Sequence, residues 1–319
     1  MPMNDKTDCF ALFLFTEAPL HAGAGPTLTA IDLPIQREVH TQHPVVWASG
    51  VKGALRDMAS GGTKEISKLH EAIFGPDTKD ASEHGGLAMF SEARVILFPA
   101  AESAGIFVWV TCPMVLERLK RDLRTMLGAA ESRNEVATKF LALEIPNLKK
   151  DTAAFSGSGG DPGELHFDAG ASLQTAPGQT AKATAFAVWL ASHAFPSGDE
   201  SKYWRELLPT RLAIVPDDEF HFLVNYATQL QSHVKIGATG TVVAGPWIEE
   251  SLPSETLLMA PVVVPPVQDK KVRDKLKDKQ EPEIEKKKVV EGLLRDRRFQ
   301  LGGGRSTGMG WVAARLFTL

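Results

Sequence analysis

Apolar residues recur along this chain with two periods, one near two residues and one near 3.6, and the alternation between them outlines the fold. Residues 9–15 form an unbroken run of Cys, Phe, Ala and Leu, the pattern of a strand buried on both faces. Residues 49–58 switch to helical spacing, with Val51, Ala54, Leu55 and Met58 in line. A second short helix is predicted over 65–74, stopped by Gly75-Pro76. After Gly85-Gly86, apolar stretches at 87–98 and 106–111 flank a turn at 103–105, which predicts a hairpin. Pro113 opens a helix whose stripe is Leu116, Leu119, Leu123 and Met126. Asp217 opens another, with Phe220, Leu223, Val224 and Ala227 inward. Residues 234–236 and 241–243 flank Gly237-Ala-Thr-Gly240 as a second hairpin, and an apolar strand at 311–317 closes the chain.

Strand, helix, two strands and helix in that order predict an α+β fold of the ferredoxin-like or RRM-like kind. The pattern loosens over about 129–198, where a turn cluster at 156–163 and an aperiodic stretch at 175–184 read as an insertion. A second insertion is expected at about 268–290. Its residues 270–288 are almost all Lys, Arg, Asp and Glu, which suits a solvated helix, a mobile loop or a grip on RNA. The organisation expected is one domain over 1–319, with a protruding hairpin at about 232–253.

Charge narrows the partners. The 319 residues carry a formal net charge of −4, so binding to nucleic acid must rest on local patches. An apolar fraction of 43% and a charged fraction of 23% fit a globular protein with an ordinary core. The two cysteines, Cys9 and Cys112, lie in apolar segments without C-x-x-C spacing, which points to reduced core thiols in a cytoplasmic protein. Neither a signal peptide pattern nor an apolar run of membrane-spanning length is visible, so no membrane partner is expected.

Candidate chemistry is concentrated at the two ends. Ser49 suits an N-cap, and Lys52 and Arg56 follow on one helix face. A helix N-terminus beside two cations makes an anion site; the same residues also suit an ordinary amphipathic helix with solvated cations. The loop Gly302-Gly303-Gly304-Arg305-Ser306-Thr307-Gly308 matches neither a P-loop nor a dinucleotide fingerprint. Its glycines permit positive φ and close backbone approach to a phosphate, or simply a tight hairpin. Gly302, Gly303, Arg305, Ser306, Thr307 and Gly308 are therefore candidate RNA contacts with Ser49, Lys52 and Arg56, and Arg37 joins them. Asp32 stands among Ile31, Leu33, Pro34 and Ile35, where a carboxylate either caps a turn, pairs with Arg37 or serves chemistry. His21 suits a general acid or phosphate contact, or packing over a glycine turn. His40 and His43 lack companion ligands for zinc, and no Ser-His-Asp order or nucleophile elbow is present.

Three strings carry a family resemblance: His21-Ala-Gly-Ala-Gly25, Asp32-Leu-Pro-Ile-Gln-Arg-Glu38 and Ser49-Gly-Val-Lys-Gly-Ala-Leu-Arg56. With the C-terminal glycine loop and Glu249-Glu-Ser-Leu-Pro253, they resemble the CRISPR RAMP proteins, and more narrowly the repeated backbone subunits of type III-B (Cmr) effector complexes. The resemblance implies an RRM-like palm with a hairpin thumb, and crRNA, complementary target RNA, further copies in a helical filament and other Cmr subunits as partners. It implies endoribonuclease action at regular intervals, by attack of the ribose 2′-hydroxyl on the adjacent phosphate with a divalent metal, Mg or Mn. Asp32 falls on the family's cutting acid, as a metal ligand or by orienting the hydroxyl. His21 and Glu249 would assist. Two departures stand out: Trp47-Ala-Ser-Gly50 replaces the usual Pro-Gly-Ser-Ser, and Ser251 replaces a tyrosine. A non-catalytic scaffold and a monomeric CRISPR RNA-processing endonuclease are the alternatives. The second would not be expected to carry the Asp32–Glu38 string.

Overall fold

The computed structural model describes residues 7–61, 68–76, 85–103, 105–128, 134–157, 162–268, 270–275 and 286–319. Its first strand is β1 (Asp8–Thr16), whose residues after Asp8 are all buried, as in a strand covered on both faces. The chain then runs through β2 (Val45–Val46), α1 (Ala48–Ala59), α2 (Lys68–Phe74) and β3 (Met89–Phe90) to the hairpin β4 (Ala93–Glu102) and β5 (Ile106–Thr111). Next come α3 (Pro113–Leu127), α4 (Glu135–Leu141), β6 (Thr152–Phe155), β7 (Glu164–His166) and β8 (Ser172–Thr175). These lead to α5 (Thr180–His193), α6 (Lys202–Arg211), β9 (Leu212–Ile214) and α7 (Asp217–Tyr226). The last part holds β10 (Gln229–Ile236), β11 (Val242–Ser251), β12 (Leu257–Val264), α8 (Lys270–Lys275), α9 (Lys286–Leu294), β13 (Arg298–Gln300) and β14 (Trp311–Thr318).

The main sheet runs in the order β13-β14-β1-β12-β4-β5-β9-β6-β8-β7, with β2 on β4 and β3 on β12. The α+β palm is as expected, and the hairpin β4–β5 is antiparallel, with Phe98 opposite Val110. The neighbours of β1 are nevertheless drawn from the far end of the chain. It pairs antiparallel with β12 (Phe13 opposite Met259) and with β14 (Phe13 opposite Arg315). The helix α3 lies against this part of the sheet, with Leu116, Leu119, Leu123 and Met126 buried.

Residues 134–198 are more regular than their pattern indicates. Asn134 caps α4 by accepting the Ala137 N–H at 3.0 Å, and β6 extends the main sheet beyond β9. The stretch 175–184 ends β8, makes a 3-10 turn and enters α5, which buries Ala183, Phe186, Ala187 and Leu190. Small apolar residues spread around much of α5, so it shows no single stripe in the sequence. Residues 129–133 and 158–161 of the expected first insertion lie outside the described residues, as do 65–67 of the second expected helix and 276–285 of the charged run.

The hairpin β10–β11 forms a separate two-stranded sheet. Its turn closes through Gly237 N–H to the Thr241 carbonyl at 2.8 Å, and its outer part exposes Val234, Ile236, Val242 and Val243. This is the protruding hairpin expected from the sequence, begun three residues earlier. Cys9 and Cys112 are both buried, and neither forms a disulfide among the described residues.

Candidate functional site

The inner half of β11 organises the site. One edge pairs with β10, with Ser232 opposite Ile248 and Leu230 opposite Glu250. The other edge is occupied, group by group, by the N-terminal stretch. Leu33 donates its N–H to the Ile248 carbonyl at 3.0 Å and accepts the Glu250 N–H at 3.0 Å. Leu20 and Leu252 exchange two backbone hydrogen bonds of 2.9 Å each. Two polar groups on this edge remain, and both go to side chains. The Ile248 N–H donates to Asp32 Oδ2 at 2.7 Å, and His21 Nδ1 donates to the Glu250 carbonyl at 2.6 Å. A strand edge must satisfy its backbone groups, and here the two strongest candidates for chemistry do so. Ile248 and Glu250 are two residues apart, so Asp32 and His21 are anchored at neighbouring points along one strand edge.

The contacts leave specific atoms open. A carbonyl only accepts, so His21 Nδ1 carries the proton, and in the neutral ring Nε2 holds the lone pair. Gly23 lies directly over Nε2; a Cβ there would come within 2.7 Å of it. Asp32 is half-buried, and its Oδ1 has no hydrogen bond among the described residues. Glu249 is half-buried with no side-chain hydrogen bond among the described residues, whereas Glu250 is buried. Ser251, at the place where the resemblance expects a tyrosine, is buried with its Oγ unpartnered, so it offers no hydroxyl to the surface.

The string Asp32–Glu38 is accounted for residue by residue. Ile35 is buried and its N–H meets Glu250 Oε2 at 3.1 Å. Arg37 pairs with Glu250 Oε1 at 2.5 Å and donates to the carbonyls of Gln42 and Val224 and to Asn225 Oδ1. Its side chain is only 14% exposed. Arg37 therefore does not pair with Asp32; its donors lock the stretch to β11 and α7. Glu38 accepts from Arg118 Nη1 at 2.8 Å and from Thr41, tying the stretch to α3. Burial pushes the Glu38 carboxyl up, but the Thr41 and Arg118 hydrogen bonds outweigh it and leave it below its usual range.

The elements expected to bind an anion meet at the glycine loop, next to His21. Ser49 is not the N-cap of α1. Trp47 holds that position without a side-chain cap bond, and Ser49 is an exposed residue in the first turn, because the carbonyl of Trp47 already accepts from Gly50 and Val51. Lys52 is half-buried, and burial together with the neighbouring Arg56 lowers its pKa, while Arg56 donates to the Pro76 carbonyl. The glycine loop reaches both α1 and His21. Arg305 pairs with Asp57 of α1 at 2.6 Å, and the Gly303 N–H donates to the His21 carbonyl at 2.9 Å. Gly302 has φ +80°, and a Cβ there would lie 2.4 Å from the His21 carbonyl oxygen, so only glycine fits. Residues 302–308 are exposed, and the N–H groups of Gly304, Arg305 and Ser306 take no backbone acceptor among the described residues.

A resident metal cage is not built here. Among the described residues, no group of three or more His, Cys, Asp or Glu could hold an ion. The open oxygen of Asp32 is one hard ligand of the kind a Mg-type ion takes. Sequence reasoning passed over Gln36, Glu250 as the partner of Arg37, and Asp57 as the partner of Arg305. Only Gln36 and Glu250 had a signal, through the strings that contain them.

Known proteins share this sequence family and this fold. The model of the RAMP superfamily matches residues 14–313. The CRISPR system Cmr endoribonuclease Cmr4 of Pyrococcus furiosus is 32% identical over 314 residues, which is 95% of this chain and 94% of that protein. The crystal structure of oligomeric Cmr4 from Pyrococcus furiosus matches with a TM-score of 0.69 at 26% identity, covering 98% of each chain. A chain of the type III-B Cmr-beta complex bound to cognate target RNA shares the fold, with a TM-score of 0.67 at 18% identity over 99% of this chain and 98% of that one.

Proposed function

This chain belongs to the RAMP superfamily, and from that premise we propose that it is the repeated backbone subunit of a type III-B CRISPR effector complex, holding crRNA and cutting complementary target RNA. The observation that carries the proposal is the setting of Asp32 and His21 on one strand edge, with the glycine loop bonded to the His21 backbone and paired to α1. The first turn of α1, Lys52 and the exposed loop 302–308 hold guide phosphates without reading bases. Sequence choice comes from base pairing between guide and target. Copies stacked along one guide would each present one Asp32, so cuts recur at a fixed interval.

In the cutting step the 2′-hydroxyl attacks the adjacent phosphorus, the bond to the 5′-oxygen breaks, and a cyclic phosphate and a 5′-hydroxyl result. His21 Nε2 is the atom suited to take the hydroxyl proton, and its orientation is set by the Glu250 carbonyl. The open Oδ1 of Asp32 orients the hydroxyl or holds a divalent ion, Mg or Mn, which when bound would neutralise charge on the phosphate. His21 gives its proton up to water, the leaving 5′-oxygen takes one from water, and Glu249, with no side-chain hydrogen bond among the described residues, assists at the cut. The test is to load the protein with a defined guide and add complementary and unrelated RNA with Mg²⁺, with Mn²⁺ and with chelator. Regularly spaced products bearing cyclic phosphate, from complementary RNA alone, are expected. Full binding of the target with no product would establish the scaffold alternative.

A further inference from the structure

We propose that Gln36 is a positioning residue that couples the guide-holding helix to the His21 side of the cleavage site, so that cuts stay in register with the guide; this rests on the function proposed above. Gln36 sits inside the Asp32–Glu38 string, between the cutting acid and the Arg37 lock. Its backbone is clamped twice: its N–H donates to the Ala22 carbonyl at 2.8 Å, and its carbonyl accepts the Val45 N–H at 3.0 Å. Its side-chain amide then bridges two segments. Oε1 accepts the N–H of Trp47, the cap residue of α1, at 2.7 Å. Nε2 donates to the carbonyl of Gly23 at 3.0 Å. The amide can point only one way, because a backbone N–H only donates and a carbonyl only accepts.

Both ends of the bridge are functional places. Trp47 begins the helix that carries Ser49, Lys52 and Arg56. Gly23 lies against His21 Nε2, the atom left open for the proton, at a place where even a Cβ would come within 2.7 Å. One half-buried amide therefore spans the grip and the site, while the chain between Gly23 and Trp47 takes the long route through Asp32. A displacement of the α1 start reaches Gly23 directly through this amide. Reaction geometry is steep in distance, so slack of about 1 Å here is enough to change both rate and position of cutting.

Two variants separate this role from a merely structural one. Gln36→Met removes both arms of the bridge. Gln36→Glu keeps an acceptor for Trp47 but sets a carboxylate oxygen against the Gly23 carbonyl. Each is loaded with guide, and the guide Kd, the single-turnover kcat and KM, and the products at single-nucleotide resolution are measured. Guide Kd and KM within about 2-fold of the unmodified protein are expected, with kcat lowered on the order of 10-fold or more and extra cuts at neighbouring linkages. A sharp product ladder at the unmodified rate in either variant would overturn the proposal. So would a loss of guide loading or folding in both, since the bridge would then belong to the grip or the core. An unmodified assembly that loads guide and never cuts would instead overturn the function itself.

Discussion

Asp32 holds one backbone group in this structure and has a second job under the proposed function, and replacing it by asparagine and by alanine separates the two. Its Oδ2 accepts the Ile248 N–H at 2.7 Å, a charge-assisted bond on the edge of β11. Asp32→Ala leaves that N–H without a partner. The cost of such a group is about 1–3 kcal/mol, and the half-exposed setting of Asp32 puts it near the lower end. At roughly 2–4 °C per kcal/mol for a chain somewhat smaller than this one, the melt should fall by about 2–5 °C. Asp32→Asn keeps a carbonyl oxygen for Ile248 and loses only the charge, so its melt should fall by about half as much or less. Cutting should respond differently: both variants should lose about 10²–10⁴-fold in single-turnover rate, because neither offers a carboxylate oxygen to the hydroxyl or to an ion. The assay pairs thermal melts with cleavage of a labelled target by guide-loaded protein, and filter binding confirms that guide and target are held. An Asp32→Asn assembly that melts normally and cuts at full rate would refute the assignment and move the chemistry to His21 and Glu249.

Three further outcomes follow from the same contacts. Arg37→Met should act on the fold, costing about 3–5 kcal/mol in urea unfolding, since it leaves the buried Glu250 carboxylate its hydrogen bonds from Ile35 and Thr228 but takes away its counter-charge. Unchanged stability with weakened guide binding would return Arg37 to the RNA. Lys52→Ala should weaken every guide alike and lower the salt slope of binding by roughly 0.7, as the loss of one phosphate contact to single-stranded RNA does; a loss confined to one guide sequence would contradict it. His43 is buried edge-on to Phe220, and burial lowers its pKa from 6.5 to about 4, against the opposing pull of Glu38. The unfolded chain then binds more protons between these values, so the stability His43 contributes is present above about pH 6.5 and is lost as pH falls towards 4. Urea unfolding at pH 7.5 and pH 4.5 should show a smaller difference in His43→Gln than in the unmodified protein.

Several features are carried by local pattern alone. The unbroken apolar run of β1, the stripe of α3 and the glycine-bounded turn of the β10–β11 hairpin depend on neighbours in sequence, and each is legible there. The family strings likewise mark Asp32, His21 and the glycine loop, because their spacing is local. Other features depend on residues hundreds of positions apart. The neighbours of β1 are β12 and β14, and no pattern within 8–16 names them. Ser49 looks like a cap by residue type, yet Trp47 takes the position, because the Gln36 amide and β2 fix where α1 begins. Arg37 looks like a partner for Asp32 or for RNA, and only the fold brings Glu250 beneath it. A sequence shows which groups must find partners; which partner each one finds is decided by the edge of β11, where residues 20–37 and 248–252 meet.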